Sequence, residues 1–340
     1  MSEDKKPTLS RRALFATAAA TAALPLAVRA EGTSPLGVGA PINSTSTTDL
    51  PTQGGVGPIR VLFVTAFHAF DRENLFRMLD RFGEDITWTH IEHPAAEHFF
   101  DPELAKAYDV FLFYDAFAGR EQTGLDADGK PVYEYRAPSE KLQADLKQLL
   151  IDGDKGFVFF HHSLASWVHT WPAGVSGTNA YIEVMGAAAD WGNDIKNVRG
   201  VDYPKSGYRQ GTEQRFTVVD TNHPITAGIT DFDLVDEPYL CPVLEDSVHP
   251  LLSTDFKAEV ESFAHAPNRA NVGDGHPPGS NLAGWYKSAE NSPVVYIQPG
   301  HDNNAWSHPA YEQLMLNAIK WAASQEAKDW ARSNATKIFI

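Results

Sequence analysis

The sequence predicts an α/β chain: a doubly wound, mostly parallel sheet, with antiparallel strands added at one edge and long loops between them. Three observations carry this. Short apolar runs rich in β-branched residues alternate with helical-period segments through the first half. Those runs are apolar at consecutive positions, as strands covered on both faces must be. The second half changes to shorter strand-like runs separated by Gly, Pro and Asn, which points to antiparallel additions.

Taken in order, residues 59–66 read as a strand and 73–82 as the helix that follows it, a βα unit. The pattern repeats with strand 86–91 and helix 102–108, then strand 110–114 and the amphipathic stretch 139–151. A fourth strand, 156–160, ends at His161-His162. Further strands are predicted at 213–219, 232–235, 260–263, 282–286 and 294–298. The helix 308–323 carries Leu314, Leu316, Ala318, Ile319 and Trp321 for packing and should close the sheet; residues 326–340 read as a peripheral C-terminal extension. The ordered domain is thus expected over 59–325.

The chain opens differently. Ser10-Arg11-Arg12-Ala13-Leu14-Phe15 precedes a weakly apolar Ala/Thr/Leu run that is interrupted by Pro25 and too short for a membrane span. Paired arginines before such a run are the pattern of a twin-arginine signal, with cleavage near Ala30, the export machinery as a partner, a periplasmic location and no membrane span in the mature protein. Residues 31–58, rich in Gly, Ser, Thr and Pro, read as a flexible linker.

Loss of residues 1–30 removes five basic and two acidic residues and takes the formal charge from −16 to −19. With no later Lys/Arg cluster, nucleic acid is excluded as a partner, and a neutral substrate or a cation fits better. Cys241, the single cysteine, allows no internal disulfide and no zinc-thiolate cluster. No HExxH, CxxC, phosphate-binding Gly loop or EF-hand loop is present.

In an open α/β sheet, ligands bind beyond the carboxyl ends of the parallel strands, so polar residues just after apolar runs are the candidates. These are His68, Asp115, His161, His162, Ser163 and His301, joined by the loop residues His223, Asp236, Glu237 and Tyr239. Of the adjacent pair His161-His162, one imidazole should face the crevice as base or ligand, although a histidine at a strand end also serves as a cap. Asp236 and Glu237 suit acid/base work or a divalent cation, and equally an ordinary solvated loop. Ser163 stands near a nucleophile-elbow position but lacks the flanking glycines. Trp167, Trp285 and Trp306 lie close in sequence to these groups, and flat rings suit sugar faces.

In order, His162-Ser163, His223-Pro224-Ile225, Asp236-Glu237-Pro238-Tyr239, Val294-Val295-Tyr296 leading into Gly300-His301-Asp302, then Trp306 and Asn317, resemble the ThuA-like (trehalose utilisation) family over about 59–323. The resemblance implies a class I glutamine amidotransferase-like, flavodoxin-like sheet. It does not bring the amidotransferase cysteine, since histidines and a serine stand at the elbow and Cys241 lies far downstream. It implies a lyase or hydrolase acting on a modified (3-keto) glycoside or disaccharide, a small-molecule sugar. On that reading His162 is the base, Glu237 or Asp236 the acid or ligand, and His223 and His301 orient or polarise, with a divalent metal able to do the polarising. His68, Asp115, His161, Ser163, Trp167, Tyr239, Trp285 and Trp306 then line the substrate. The alternatives are a non-catalytic periplasmic carbohydrate-binding protein and an esterase using Ser163.

Overall fold

The computed structural model describes residues 54–191, 196–263 and 276–339, all within one compact unit, Ser44–Ile340. The expected signal peptide and residues 31–53 of the expected linker lie outside the described residues.

The main sheet has ten strands. In chain order they are β1 (Gly54–Gly55), β2 (Ile59–Ala66), β3 (Ile86–Glu92), β4 (Val110–Asp115), β5 (Gly156–Phe160), β6 (Thr212–Val218), β7 (Phe232–Asp236), β8 (His249–Thr254), β9 (Leu282–Ala289) and β10 (Ser292–Ile297). Across the sheet they run β1-β3-β2-β4-β5-β10-β9-β8-β6-β7. The block β3-β2-β4-β5-β10 is parallel; β1 at one edge and β9, β8, β6 and β7 at the other are antiparallel. This is the predicted doubly wound sheet with its additions.

Strand alternation divides the core between two faces. Val61 and Phe63 of β2 pack with Leu75, Met78 and Leu79 of helix Arg72–Arg81 and with Leu314, Met315 and Ile319 of helix Pro309–Ala323. Leu62 and Val64 face the other way, onto Leu142, Leu146 and Leu149 of helix Glu140–Asp152. The helix ends are closed by short-range chemistry. Asp71 accepts from Asn74 N at 3.1 Å, Ser139 accepts from Leu142 N at 3.1 Å, and Gly153, at φ 69°, ends its helix in a left-handed cap.

Several elements differ from the sequence reading. Residues 260–263 form a short helix, not a strand: Ser262 N donates to Glu259 O at 3.0 Å and Phe263 is buried beside Leu240. The segment 102–108 supplies only the short helix Pro102–Ala105, preceded by a 3-10 turn, Ala95–Phe100. Strand β8 was hidden by Pro250, which cannot donate to a ladder; the pairing register shifts between Pro250 and Leu252. The hairpin formed by Arg120–Leu125 and Pro131–Tyr135 is exposed and charged, so no apolar run marks it.

Both ends of the domain extend further than predicted. Gly54 and Gly55, within the expected linker, pair with Trp88 and Thr87 of β3, an approach close enough that a Cβ on Gly55 would sit 2.1 Å from the Ile86 carbonyl oxygen. The C-terminal extension is not peripheral. Helix Gln325–Ser333 places Trp330 against Tyr286 and Trp321, and Thr336 bridges to Glu290. The fully buried Glu290 carboxylate accepts from Ile338 N at 2.6 Å and Phe339 N at 2.8 Å, with Lys337 Nζ at 3.2 Å.

That latch has a pH signature. Burial alone would raise the Glu290 carboxyl, but the two backbone N–H groups and Lys337 overcome it and hold the group below its ordinary value of 4.5. A depressed carboxyl contributes stability that is complete above about pH 4.5 and is lost as the pH falls through the folded-state value. Glu290→Ala should lower unfolding free energy at pH 7 by about 2–4 kcal/mol, because the charge-assisted bonds go and two N–H groups lose their acceptor. Urea titrations at pH 7 and pH 4 check this: the wild-type–mutant gap should shrink at the lower pH, and an equal gap would refute the latch.

Candidate functional site

The site forms where β5 and β10 end side by side and β7 runs in from the far edge. β5 finishes at Phe160, and the next residue, His161, has φ 51°, a left-handed conformation costly for a side-chain-bearing residue. The surroundings hold this corner. Tyr296 Oη donates to the His161 carbonyl at 2.8 Å from the neighbouring strand, and the 3-10 turn His161–Ala165 begins at once. His161 Nδ1 lies 3.1 Å from the Gln298 carbonyl oxygen, which can only accept, so Nδ1 carries the proton and Nε2 presents a lone pair.

Asp236, the last residue of β7, fixes the opposite wall. Its buried carboxylate accepts from Gly300 N at 2.6 Å, His301 N at 3.0 Å and Glu237 N at 2.7 Å. Burial raises this carboxyl, with His161 and the three N–H groups pulling against the rise. Gly300 is required here: its φ is 137°, and a Cβ would lie 2.5 Å from Tyr311 Oη. Trp306 Nε1 donates to Gly300 O at 3.0 Å and Tyr114 Oη to His301 O at 3.2 Å, so the loop is tied from both sides.

Three ligand-type atoms meet as a result. His161 Nε2 and His301 Nδ1 are 3.0 Å apart, and Glu237 Oε2 lies 3.3 Å from each. Bond lengths of about 2.1 Å place adjacent ligands roughly 3.0 Å apart in an octahedron and roughly 3.4 Å apart in a tetrahedron. The triangle's spacing therefore matches ligands on one face of a divalent ion, and Glu237 Oε1 is buried with no partner among the described residues. Such a two-histidine, one-carboxylate set leaves further coordination positions open. The Gln298 carbonyl below His161 is the outer partner that ligating imidazoles require.

The electrostatics are consistent within the triangle. Burial would raise Glu237, but His161 and His301 overcome it and hold the carboxylate well below its ordinary range. Burial would lower His301, and Glu237 raises it. Tyr239 Oη, 2.7 Å from His161 Nε2 and 3.0 Å from Glu237 Oε2, completes the first ring of groups. Beside it stand two imidazoles with unpartnered nitrogens. His68 and His162 have ring centroids 4.3 Å apart, and His162 also lies 4.0 Å from the Tyr114 ring. Burial, then the neighbouring imidazoles, push His68 down to about 4 and His162 well below its ordinary value. His162 is 3% exposed, whereas His68 is only partly buried.

The structure thus brings together His68, His161, His162, Glu237, Tyr239 and His301, with Asp236 beneath them. It reverses the expected roles of the adjacent histidines: the strained corner aims His161 at the triangle and His162 into the wall. Asp236 is a positioning residue, its oxygens already spent on backbone N–H groups. His223 does not join: it accepts from Ile225 N at 3.2 Å and stacks on Tyr286 with centroids 4.2 Å apart, away from the triangle. Trp285 is fully buried and donates to Met185 O at 2.9 Å, and Trp306 is committed to Gly300, so neither offers a face to a sugar. Trp167 is also buried, beneath Arg136 and beside Trp171.

Ser163 and Asp115 belong to a buried support. Ser163 Oγ donates to Phe113 O at 2.9 Å and accepts from Asp115 N at 3.2 Å; Asp115 accepts from Ser166 Oγ at 2.6 Å and is pushed up to about 6 by burial. This corrects the elbow reading, since the strained residue is His161, two positions earlier. Tyr114, Tyr296 and the Gln298 carbonyl were missed as positioning groups. Their only sequence signal is that each lies at or just beyond the end of a parallel strand.

Comparison with known proteins agrees with this architecture. The family model described as trehalose utilisation (ThuA) matches residues 60–322. A ThuA-like protein from Parabacteroides merdae superposes with a TM-score of 0.52 at 14% identity, covering 78% of this chain and 90% of that one. A glutamine amidotransferase from Thermotoga maritima reaches a TM-score of 0.37 at 10% identity, covering 78% of this chain and 99% of that one, too distant to bear on chemistry. No curated protein matches in sequence.

The placement of Ser163 makes a direct prediction. Ser163→Ala should lower the thermal midpoint, at a cost of about 1–3 kcal/mol, because Phe113 O and Asp115 N lose a buried partner. The wild-type protein should not be labelled by a serine-directed phosphonate; stoichiometric labelling at Ser163 would restore the esterase reading.

Proposed function

For a chain that belongs to the ThuA trehalose-utilisation family, we propose a metal-assisted lyase or hydrolase acting on a 3-keto glycoside, exported by the twin-arginine route. One observation supports this above the others: the His161–Glu237–His301 triangle, with ligand atoms 3.0–3.3 Å apart beside two unpartnered imidazoles. Export rests on Ser10-Arg11-Arg12-Ala13-Leu14-Phe15. No helix among the described residues is long and apolar enough to cross a membrane.

The chemistry follows from the substrate's own acidity. A ketone at C3 acidifies the proton on C2, so a base that removes it leaves an enolate with charge on the C3 oxygen. His161, Glu237 and His301 are the residues that would hold a divalent ion, which when bound would supply positive charge to stabilise such an enolate. Of the neighbouring imidazoles, His68 is the better base, because it is the one that solvent reaches. Having taken the C2 proton, His68 delivers it to the departing C1 oxygen as the C1–O bond breaks and the C1–C2 double bond forms. Water then adds at C1 with the proton returned to C2, and the product is the free 3-keto sugar. His162, itself against the Tyr114 ring, backs the His68 ring, and Tyr239 steadies Glu237.

The test combines metal content with turnover. Purified protein should carry about one divalent ion per chain by elemental analysis, and His161→Ala, Glu237→Gln and His301→Ala should each lose it. A 3-keto glucoside should release its alcohol with the metal-loaded protein and not after chelation. His68→Ala should retain the metal while kcat falls about 10²–10⁴-fold, the usual range for a general base. Metal-independent turnover would remove the assigned centre, and binding without release would leave a carbohydrate-binding protein.

A further inference from the structure

A second group of side chains lies at the same end of the sheet, on the other side of the Phe67-His68 step, and the reaction above does not use it. Arg120 opens the exposed hairpin. Its guanidinium lies over three rings: Tyr133 at 4.0 Å, Phe67 at 4.3 Å and Phe117 at 5.1 Å. Those plates hold the cation in place, and Nε is buried with no hydrogen-bond partner. Among the described residues no carboxylate pairs with it. The nearby acids are taken by Arg136, which bonds Glu97 at 2.5 Å and Glu121 at 2.8 Å. In a chain of net charge −16, a guanidinium fixed on aromatic plates without an acid is an unusual vacancy for an acceptor.

The geometry also joins this group to the triangle. Phe67, under Arg120, is followed directly by His68, whose ring centroid lies 6.3 Å from that of His301. On the other flank, Trp191 touches Phe117, centroids 5.8 Å apart, and Tyr239, centroids 5.6 Å apart. Trp191 Nε1 is a second buried donor with no acceptor. The pocket lined by Phe67, Phe117, Arg120, Glu121 and Arg136 has a cavity volume of about 70 Å³, well below the roughly 300–1,000 Å³ of a site that encloses a whole ligand. It has room for a group of a carboxylate's size beside the guanidinium.

We infer that Arg120 is a specificity residue that binds a carboxylate on the substrate, so the glycoside is an acidic sugar derivative such as a uronic acid glycoside. Two acceptor oxygens match the terminal N–H donor pair of the planar guanidinium. Neutral sugars would leave that donor poorly matched and be rejected. The inference rests on the triangle being the reacting centre.

The test uses the full chain, metal-loaded, with methyl glucuronide and methyl glucoside as probes in titration calorimetry. Wild-type protein should bind the glucuronide at least tenfold more tightly than the glucoside. Arg120→Gln should bring the two affinities within twofold, Arg120→Lys should recover part of the preference, and both variants should keep the wild-type metal content and thermal midpoint. Equal affinities in the wild type, no binding of either probe, or a preference that survives Arg120→Gln would each overturn the assignment. A glucuronide preference in protein that holds no metal would retain the anchor and remove the metal centre, so the two readings fail separately.

Discussion

A buried carboxylate organises this molecule. Asp236 sits at the end of a strand remote from the parallel block, and its two oxygens accept three backbone N–H groups, two of them in the loop that follows β10. Hydrogen bonds to a charged acceptor are each worth about 1.5–3 kcal/mol net, so the three together offset part of the cost of burying the carboxylate, which burial still leaves raised. This tie sets where Glu237 leaves the chain and where His301 stands, while Tyr296 and the Gln298 carbonyl place His161 opposite them. The interactions around it, from Tyr114 and Trp306, refine a geometry that Asp236 has already closed.

The parallel block was legible because a strand covered on both faces has no polar position to obscure it. Val110–Asp115 and Gly156–Phe160 are apolar nearly throughout, and their polar ends point to the crevice. The elements that escaped reading are those whose stability comes from elsewhere. Strand β8 contains Pro250 and survives through a register shift, the Arg120–Tyr135 hairpin is polar on both sides, and the C-terminal segment is secured by the carboxylate of Glu290. None of these is a local property of the residues concerned.

The site divided along the same line. Residue type and position singled out His161, Glu237, Tyr239 and His301, which the fold brings together, although a strand-end cap or a solvated loop would have accounted for such residues equally well. Residue type could not rank His161 against His162, because the decision is made by a backbone angle that no side-chain pattern announces. It also drew in His223, whose Pro224 neighbour and loop position looked like a site but whose ring is a packing surface for Tyr286 and Trp321. Tryptophans misled for a simple reason: an indole N–H needs a partner wherever it is buried, so Trp285 and Trp306 serve as struts in the core.

The left-handed corner at His161 has a wider consequence. The scaffold spends its effort on a backbone shape, held by Tyr296 and the turn that follows, and that shape delivers whichever side chain occupies it to the same point in space. Reactivity is therefore exchangeable at one codon while architecture is inherited: a thiol there offers a nucleophile, an imidazole offers a lone pair. Divergence within such a fold need not remodel the sheet, only change the occupant of its sharpest bend.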